Sequence, residues 1–411
     1  MKTFIMLGWR NLWRQKRRSL VVILSITLGV LMMLLAIGIM NGMIAQMLDN
    51  SISTKLGHIA ISGRGFSDTM RIENNFFPDD RISTALRKEK DIVAFAPRIK
   101  AYGMIQSGEA SRGVMIIGVL PSSEINVSKI NEFTLPDEGG RFLSDPDALD
   151  ILISKSLADK LDVYVGDRVV LMLTDKDNER AGVGLTVRGF FRTPVEDYDN
   201  MVVYMGIGRL QTLTNLGGNI SEITIITKKK EIADSVKERL SRAINDPSLE
   251  VLSWRDMAPF LVKAISLIDK MLLIYYAIFF ITVVFSIANT LIMSIMERFH
   301  EIGVMKSIGT RPSQVFFIVM FEALNLGAVG LVIGLGAGFL LMLFLSFTGI
   351  DLSIFMDAMR QWGAGSVIYP FMTARDFIIS TVVVELTTII AAIYPAVKAA
   401  RIKPLDALHY V

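Results

Sequence analysis

The chain has no cysteine and only three histidines among its 411 residues. Without cysteine it can form no disulfide, so a domain outside the cytoplasm must be held together by its apolar core alone. The histidines, His58, His300 and His409, lie far apart, and none belongs to an H-E-x-x-H pattern. Zinc proteases and Ser-His-Asp hydrolases are thereby disfavoured. We predict no metal site and no catalytic residue, and we expect that the chain is not an enzyme.

A phosphate-binding G-x-x-x-x-G-K-[ST] motif is also absent, so we expect the chain itself to bind no cofactor. Acidic residues are missing before Leu20, although six basic residues occur there. The apolar run that follows, 20–40, is longer than the roughly 7–15 residues of a signal-peptide core, and no A-x-A site follows it. We therefore expect a retained membrane anchor and not a cleaved signal.

Four stretches nearly free of charge dominate the rest of the pattern: 20–40, 271–296, 315–347 and 377–396. Each has the roughly 20 residues that an α-helix needs to cross a hydrocarbon core about 30 Å thick. Hydrophobic residues make up 52% of the chain, and its mean hydropathy is +0.47. These values fit a chain that is partly membrane-embedded and partly water-facing. We predict a membrane α-helical protein with four transmembrane helices and a large α+β extracytoplasmic domain between the first and the second.

Positive charge sets the predicted orientation. Basic residues are concentrated at the N-terminus, in the loop after the second span and in the tail, and such residues favour the cytoplasmic side. We therefore place both termini in the cytoplasm and the large domain in the periplasm, across a bacterial inner membrane. The predicted segments are a cytoplasmic amphipathic helix at 1–18, the first span at 19–44, the periplasmic domain at 45–268, the second span at 269–296, a cytoplasmic coupling helix at 297–312, the third span at 313–347, a periplasmic loop at 348–375, the fourth span at 376–397 and a cytoplasmic tail at 398–411.

The periplasmic domain alternates strand-like and helical runs. Strand-like runs begin near 58, 92, 102, 112, 150, 168, 185, 201, 223 and 249, and helical runs cover 80–88, 154–160, 207–215 and 230–244. We expect two subdomains, of which the one near 120–200 is richer in strand. The helical pattern at 43–54 extends the first span, and the pattern at 254–268 leads without a break into the second. Two such helices would couple the domain stiffly to the membrane.

Two acidic residues lie within the predicted spans, where a carboxylate is costly and usually faces protein. We expect Glu322 to extend toward the cytoplasm. Glu385 is expected to be neutral or hydrogen-bonded to a polar neighbour such as Asn289 or Asn325, and a proton relay is the alternative.

Small residues recur at four-residue spacing in two spans. Gly330, Gly334 and Gly338 form a ridge on the third span, and Gly38 and Gly42 repeat the spacing on the first. Such spacing lets helices approach closely. The contact could be within the chain or between subunits, and the sequence favours neither.

The segment from Met296 to Gly309, M-E-R-F-H-E-I-G-V-M-K-S-I-G, is amphipathic. Its acidic residues come early and Lys306 comes late, as the helix dipole favours. Gly309 is expected to end this helix, and Arg311 with Pro312 to begin the next. A short helix with an apolar side and charged flanks is suited to bind a cytoplasmic partner.

This segment resembles the loop between the second and third spans of the FtsX-like, or type VII, ABC permeases. That family includes the lipoprotein-releasing LolC/LolE permeases and the MacB-type exporters. The tail from Tyr394 to Leu408, Y-P-A-V-K-A-A-R-I-K-P-L-D-A-L, is similar to the family's closing P-A-x-x-A-A-x-x-x-P-x-x-A-L. W-R-N-L at 9–12 and L-G-H-I at 56–59 match as well. The likeness covers the whole arrangement of one span, a domain and three spans.

The resemblance implies that the loop helix binds a separate ABC ATPase and that two permease subunits pair around an ATPase dimer. The implied ATPase-coupling residues are Glu297, Arg298, Glu301, Ile302, Gly303, Met305 and Lys306. ATP and Mg²⁺ would be held by the ATPase, and its closure would be transmitted mechanically to the periplasmic domain. The other implied partners are a second permease subunit, identical or paralogous, a periplasmic carrier or adaptor, lipoprotein or other envelope cargo, and membrane lipid, but no nucleic acid.

Length and layout favour a lipoprotein-releasing permease within this family. In one lipoprotein-releasing paralogue, a periplasmic hairpin grips the carrier with an apolar, proline-bearing tip. The corresponding 174–184 reads T-D-K-D-N-E-R-A-G-V-G here, which is charged and lacks proline. A MacB-like efflux or export permease is therefore an open alternative. An FtsX-like signalling permease that regulates a cell-wall hydrolase is another.

Overall fold

The computed structural model describes residues 16–361 and 363–403, so most of the predicted helix at 1–18 and of the tail at 398–411 lies outside the described residues. Four helices in the described part are long and apolar enough to cross a membrane. We call them the first to fourth spans: Lys16–Ser51, Pro259–Glu297, Pro312–Thr348 and Ala374–Ala400. A sheet-rich domain lies between the first and the second. The predicted fold class is thus confirmed.

The described chain forms two compact units. Residues 16–44, 265–351 and 367–403 form the membrane unit, and residues 45–264 with 352–366 form the sheet unit. All four spans contribute to the core of the membrane unit, for example through Ile26, Phe279, Leu326 and Val384. The first span belongs to both units, because its helix continues unbroken to Ser51, and a π-helical turn, Ile52–Leu56, follows.

One mixed sheet of nine strands is the framework of the sheet unit. The strands are β1 (Ile59–Gly63), β2 (Ile92–Gln106), β3 (Ser111–Val119), β4 (Asp150–Ser154), β5 (Arg168–Thr174), β6 (Arg180–Phe191), β7 (Val202–Gly206), β8 (Glu222–Thr227) and β9 (Leu249–Ser253). They lie in the order β3-β7-β4-β6-β5-β2-β8-β1-β9. β3 with β7 and β4 with β6 are parallel pairs. A short pair, β10 (Ile350–Asp351) and β11 (Val367–Ile368), belongs to the membrane unit.

Short helices connect these strands. They are α1 (Phe66–Thr69), α2 (Asp80–Lys88), α3 (Pro121–Glu124), α4 (Lys155–Leu161), α5 (Glu196–Asp199), α6 (Ile207–Leu213), α7 (Ala233–Ile244), α8 (Trp254–Met257) and, after the third span, α9 (Met356–Gln361). Single 3₁₀ turns occur at Pro136–Glu138, Lys230–Ile232 and Ser353–Phe355. In α2 the Asp79 carboxylate caps the Ile82 amide, and Ile82 and Leu86, four residues apart, are buried.

The prediction of two subdomains is wrong at the level of the sheet. β2 is one long strand, where the sequence favoured two short ones. Residues 92–98 of β2 pair with β8, residues 98–106 pair with β3, and 103–106 also pair with β5. The strand-rich middle of the sequence and its flanking parts therefore share one hydrogen-bonded sheet.

The prediction of an unbroken helix from Trp254 into the second span is also wrong. α8 ends at Met257, Ala258 has φ −129° and ψ 63°, and the second span begins at Pro259. Proline lacks an amide hydrogen and disfavours the helical conformation of the residue before it, so the helix stops and starts again here.

Candidate functional site

The helix Phe299–Ser307 lies between the second and third spans, and we call it the inter-span helix. Gly309 follows it with φ 104°, a backbone conformation that glycine adopts readily. The third span then starts at Pro312, as the sequence predicts. The segment expected to bind a partner is thus a separate short helix attached to two spans.

One face of the inter-span helix packs against the membrane unit. Ile302 is only 4% exposed, and Gly303 is also buried. Ile302 belongs to an apolar cluster formed with the second, third and fourth spans and the residues just after the fourth. Met305 packs against this cluster. Its other members are Ile295, Val315, Val319, Ala396, Ala399 and Ile402. Ile302 and Gly303 were expected to touch an ATPase, but in this conformation they are not available to a partner.

Arg298, just before the inter-span helix, forms an ion pair with the third span. Its Nη1 lies 3.1 Å from Oε2 of Glu322, and its Nε lies 3.3 Å from Oε2 of Glu301. The Arg298 and Glu322 side chains are 18% and 11% exposed. Glu322 is thus directed at the loop that the sequence predicts to be cytoplasmic, but a cation of that loop and not solvent is its partner.

Lys306 binds the end of the fourth span. Its Nζ donates hydrogen bonds to the carbonyl oxygens of Ala400, at 2.9 Å, and Ile402, at 2.5 Å. The last carbonyls of a helix lack partners within the helix and favour a cation. Together with Arg298, Lys306 holds the inter-span helix to the third and fourth spans from its two ends.

The opposite face of this segment is open. Glu297, His300, Val304 and Ile308 recur at intervals of three or four residues, and all are exposed. Ile308 is 79% exposed. Glu301 and, in part, Met305 are also accessible. Three of the seven predicted coupling residues are therefore accessible: Glu297, Glu301 and, in part, Met305. The other four are buried or bound to the chain itself: Arg298, Ile302, Gly303 and Lys306. His300, Val304 and Ile308 were not predicted as part of the contact surface. Their spacing of four residues, which places them on one side of a helix with Glu297, was the signal for them.

The glycine ridge of the third span lies against the first span of the same chain. A Cβ atom on Gly330 would lie 2.8 Å from Cβ of Ile26, and one on Gly334 would lie 2.7 Å from Cβ of Val30. Gly338 continues the same contact one turn further along. Only residues without a side chain allow this approach.

The first-span glycines have close intrachain neighbours too. A Cβ atom on Gly38 would lie 2.5 Å from Sδ of Met342, and one on Gly42 would lie 2.5 Å from the carbonyl oxygen of Tyr369. Both contacts lie within the membrane unit. Packing inside one chain therefore accounts for these glycines as well as for the ridge.

Glu385 is half-buried on the fourth span. Among residues 16–361 and 363–403 it forms neither an ion pair nor a hydrogen bond, and the suggested bonds to Asn289 and Asn325 are not made. The hydrogen-bonded alternative is therefore not observed, and the neutral form stays a prediction.

β5 and β6 form a hairpin where a carrier-binding hairpin was considered. Oδ1 of Asp175 accepts hydrogen bonds from the amides of Asp177, at 2.9 Å, and Glu179, at 2.8 Å. Asn178 takes φ 63° in the turn. Nδ2 of Asn215 donates to Oδ2 of Asp177 at 2.6 Å. The tip is thus polar and bound to the rest of the sheet unit.

Within the sheet unit, a buried ion pair binds the segment 352–366 to α5. Nη2 of Arg360 lies 2.9 Å from Oδ2 of Asp199, whose side chain is fully buried. Thr193 donates its amide and hydroxyl to the same carboxylate. Burial raises the pKa of Asp199 to about 6, although the Thr193 hydrogen bonds and Arg360 oppose the rise. A further hydrogen bond joins Nδ2 of Asn50 to the Gly363 carbonyl at 2.8 Å.

Two family models match this chain, and several known proteins are similar to it. The family model for the FtsX-like permease C-terminal region matches residues 273–404, and that for the MacB-like periplasmic core domain matches residues 19–243. The lipoprotein-releasing system transmembrane protein LolC of Neisseria meningitidis is 22% identical over 98% of each chain. The corresponding LolE of Haemophilus influenzae is 22% identical over 99% of each chain. The crystal structure of the periplasmic region of MacB from Actinobacillus actinomycetemcomitans is 15% identical, with a TM-score of 0.35, and covers 54% of this chain and 97% of that one.

The core-domain model alone spans more than half of the chain, and the permease model covers most of the remainder. Both coincide with the observed order of one span, a sheet-rich domain and three further spans. Such a chain is a subunit of a transporter and not an enzyme in its own right. It is a multi-pass membrane protein that belongs to the FtsX-like ABC transporter permeases with a MacB-like periplasmic core domain.

Proposed function

We propose that this chain couples ATP hydrolysis by a separate ABC ATPase to work outside the cytoplasm, and that this work is the release of lipoproteins from the inner membrane. The mechanism is mechanical transmission, without passage of cargo through the permease. The lipoprotein assignment is supported by the LolC and LolE relatives, which align with this chain over nearly their whole length.

The attachment of the inter-span helix carries the proposal. Arg298 binds the third span, Lys306 binds the end of the fourth, and Ile302 lies in a cluster that includes the second. Because one helix contacts three spans, a displacement imposed on its open face moves them together. Such a helix is suited to receive motion from a partner.

The first span supplies a path from the membrane unit to the sheet unit. Its helix runs over 36 residues, which corresponds to about 54 Å at 1.5 Å per residue. A continuous helix resists bending and therefore transmits an axial movement. The route through the second span differs, because the break at Ala258 interrupts it.

In this proposal both termini and the inter-span helix are cytoplasmic, and the sheet unit is periplasmic. ATP and Mg²⁺ are bound by the ATPase, which contacts the open face made by Glu297, Glu301 and the exposed residues beside them, with Met305 at its edge. Arg298, Ile302 and Gly303 instead fix the helix to its own chain, as does Lys306. A second permease, identical or paralogous, completes the assembly.

A MacB-like exporter is the second candidate. The observation that favours it is the hairpin tip at 175–179, which is polar, lacks proline and is bound to Asn215. An apolar grip on a lipoprotein carrier is not available there. A periplasmic adaptor would then take the place of the carrier.

Reconstitution tests the proposal directly. The chain would be purified with the ABC ATPase and any second permease encoded beside it, and placed in proteoliposomes that contain a triacylated lipoprotein. We expect ATP-dependent transfer of the lipoprotein to a soluble acceptor. A Gly-Gly-Ser-Gly insertion after Ser51 should preserve ATP turnover and abolish release. Release at a near-normal rate from that variant would contradict mechanical transmission, and absence of any release by the wild type would contradict the lipoprotein assignment.

A further inference from the structure

The end of the first span is bound by three separate parts of the sheet unit. Beyond Ser51 the chain continues as the π-helical turn Ile52–Leu56. The last carbonyl groups of a helix have no partner within it and need donors from elsewhere. Here the consecutive carbonyls of Ser53, Thr54 and Lys55 each accept a hydrogen bond from a distant part of the sequence.

The three donors differ in kind. The carbonyl of Ser53 accepts from the backbone amide of Lys129 at 3.0 Å. The next two carbonyls accept from side chains, namely the Tyr198 hydroxyl at 3.3 Å and Nη1 of Arg98 at 3.2 Å. A cation at this position also offsets the negative end of the helix dipole. The helix end is therefore held by one backbone donor and two side chains.

Arg98 occupies the point where the two halves of the sheet meet. It is the residue of β2 that faces both Glu222 on β8 and Val119 on β3. Its side chain is 1% exposed and forms a bidentate ion pair with Glu124, with Nε at 3.0 Å and Nη2 at 2.6 Å from the two carboxylate oxygens. The remaining nitrogen, Nη1, is directed at the helix end.

A second ion pair lies beside the first. Nζ of Lys100 is 2.6 Å from Oε1 of Glu222, and that oxygen is 3.8 Å from Nη1 of Arg98. All these charged side chains are almost fully buried. Removing charges from water is costly, and apolar residues of similar volume often give equal or greater stability. Stability alone therefore does not explain the cluster, whereas the carbonyl that Arg98 binds does require a donor.

We propose that Arg98 and Tyr198 are positioning residues that fix the end of the first span to the centre of the sheet. Axial movement of the span then displaces β2, β3 and β8 together and does not merely fray the last helical turn. This inference rests on the proposed function, since it names the point at which movement of the span enters the sheet unit.

Tyrosine variants isolate one of the two contacts. Tyr198→Phe removes the hydroxyl that binds Thr54 and also its hydrogen bond to Tyr204. Tyr204→Phe removes the same tyrosine–tyrosine bond and leaves the contact with Thr54. In the purified full-length chain, we expect amide exchange in 53–57 to rise roughly fivefold for Tyr198→Phe, the change expected for one lost hydrogen bond. Tyr204→Phe should leave exchange there unchanged.

Paired charge removals isolate the other contact and preserve neutrality. Arg98→Met with Glu124→Gln withdraws the donor to Lys55. Lys100→Met with Glu222→Gln removes the adjacent buried pair and the 3.8 Å contact of Glu222 with Nη1, but keeps the Arg98–Glu124 pair and the donor to Lys55. In the reconstituted complex we expect the first pair to keep ATP turnover and to lower the number of lipoproteins released per ATP at least fivefold. The second pair should change this ratio less than twofold.

The two measurements separate the possible failures. Unchanged exchange in 53–57 for both Tyr198→Phe and the Arg98 pair would overturn the proposal. So would faster exchange with a normal release ratio, because the contacts would then be a helix cap alone. If the wild-type complex releases nothing, the proposed function fails and this inference fails with it. Normal wild-type release with an unaltered ratio in the variants contradicts the inference alone.

Discussion

The Arg298 guanidinium and the Glu322 carboxylate form an ion pair of 3.1 Å between the start of the inter-span helix and the third span. Both side chains are largely shielded from solvent. A shielded pair is stabilising only while both partners are present, and removal of Glu322 would leave Arg298 with the more exposed Glu301 as a counter-charge. The attachment of the inter-span helix to the third span therefore depends on this contact.

Breaking the Arg298–Glu322 pair should destabilise the membrane unit. We expect Glu322→Gln to lower the free energy of unfolding by about 1–3 kcal/mol, because Arg298 loses the more shielded of its two carboxylate partners, Glu322 and Glu301. The double variant Arg298→Met with Glu322→Leu should recover most of that loss. Thermal unfolding in detergent gives the comparison, and equal melting temperatures for the wild type and Glu322→Gln would contradict the role of the pair.

The exposed face made by Glu297, His300, Val304 and Ile308, on and beside the inter-span helix, should be needed for ATPase binding. Ile308 is 79% exposed and Ile354, in the sheet unit, is 92% exposed, so the same substitution can be made at two accessible isoleucines. We expect Ile308→Asp to reduce co-purification with the ATPase at least tenfold without loss of thermal stability. Ile354→Asp is the matched control and should bind normally. Normal ATPase recovery with Ile308→Asp would exclude this face as the contact.

The glycine ridge of the third span should tolerate alanine at one position and not at another. Gly334→Ala places a methyl group 2.7 Å from Cβ of Val30, so the first and third spans must separate. We expect a loss of about 1–3 kcal/mol, as for other overpacked cores. A Cβ atom on Gly336, two residues on, would meet no atom of another element of the described chain within 4 Å, and Gly336→Ala should cause no loss. Equal melting temperatures for the two variants would show that the ridge is not closely packed.

The proposed orientation can be measured in a chain that has no cysteine of its own. Tyr164, in the sheet unit, is 67% exposed, and Ile308 is more exposed still. A membrane-impermeant maleimide applied to intact spheroplasts should label Tyr164→Cys and leave Ile308→Cys unlabelled until the membrane is opened. Labelling of both from the outside would refute the orientation.

Binding of the 352–366 segment should depend on pH. Burial raises the pKa of Asp199 to about 6, against the opposing effect of Arg360, so the ion pair is strongest above about pH 6 and is lost as the pH falls through that value. A nitroxide on Ile354→Cys should therefore become more mobile in acid. With Asp199→Asn its mobility should be high at every pH. A pH response that persists in Asp199→Asn would assign the titration to another group.

Unfolding of the sheet unit responds to the same carboxyl group with the opposite sign. The pKa of Asp199 in the folded protein, about 6, lies above its ordinary value of about 4. The folded state therefore holds this proton more tightly than the unfolded state. The contribution of Asp199 to the free energy of unfolding is thus largest below about pH 4 and falls as the pH rises to about 6.

Local pattern was sufficient for most of the elements. The bounds predicted for the helix at 80–88 and the strand at 150–154 coincide with those observed. A cap before the first and an apolar run in the second mark them in the sequence. The break at Ala258 was missed because the apolar period continues across it, although Pro259 was a sufficient signal. The prediction of two strands in place of β2 was wrong because hydrogen bonds to β8, β3 and β5 keep residues 92–106 extended, whereas local propensity alone favoured a break.

The contacts of the site could not be predicted from the sequence, because they join residues that are distant along the chain. The pattern identified the inter-span segment but could not say which of its faces is buried. In the sequence, Arg298 and Lys306 resemble surface cations. Their contacts with Glu322 in the third span and with the last carbonyl groups of the fourth show that they attach the inter-span helix to the membrane unit. The partners of Arg98 lie on α3 and β8, and no short motif links them.

The second span differs from the other three in how little of it touches protein. Of its most apolar 18 residues, only 11% are buried within the described chain, against 39%, 28% and 33% for the first, third and fourth spans. Hydrocarbon accepts almost any apolar side chain, so few positions on this helix are constrained by packing. Thermal unfolding of the isolated subunit will therefore report mainly on the first, third and fourth spans. Bilayer thickness and lipid composition will act chiefly through the second.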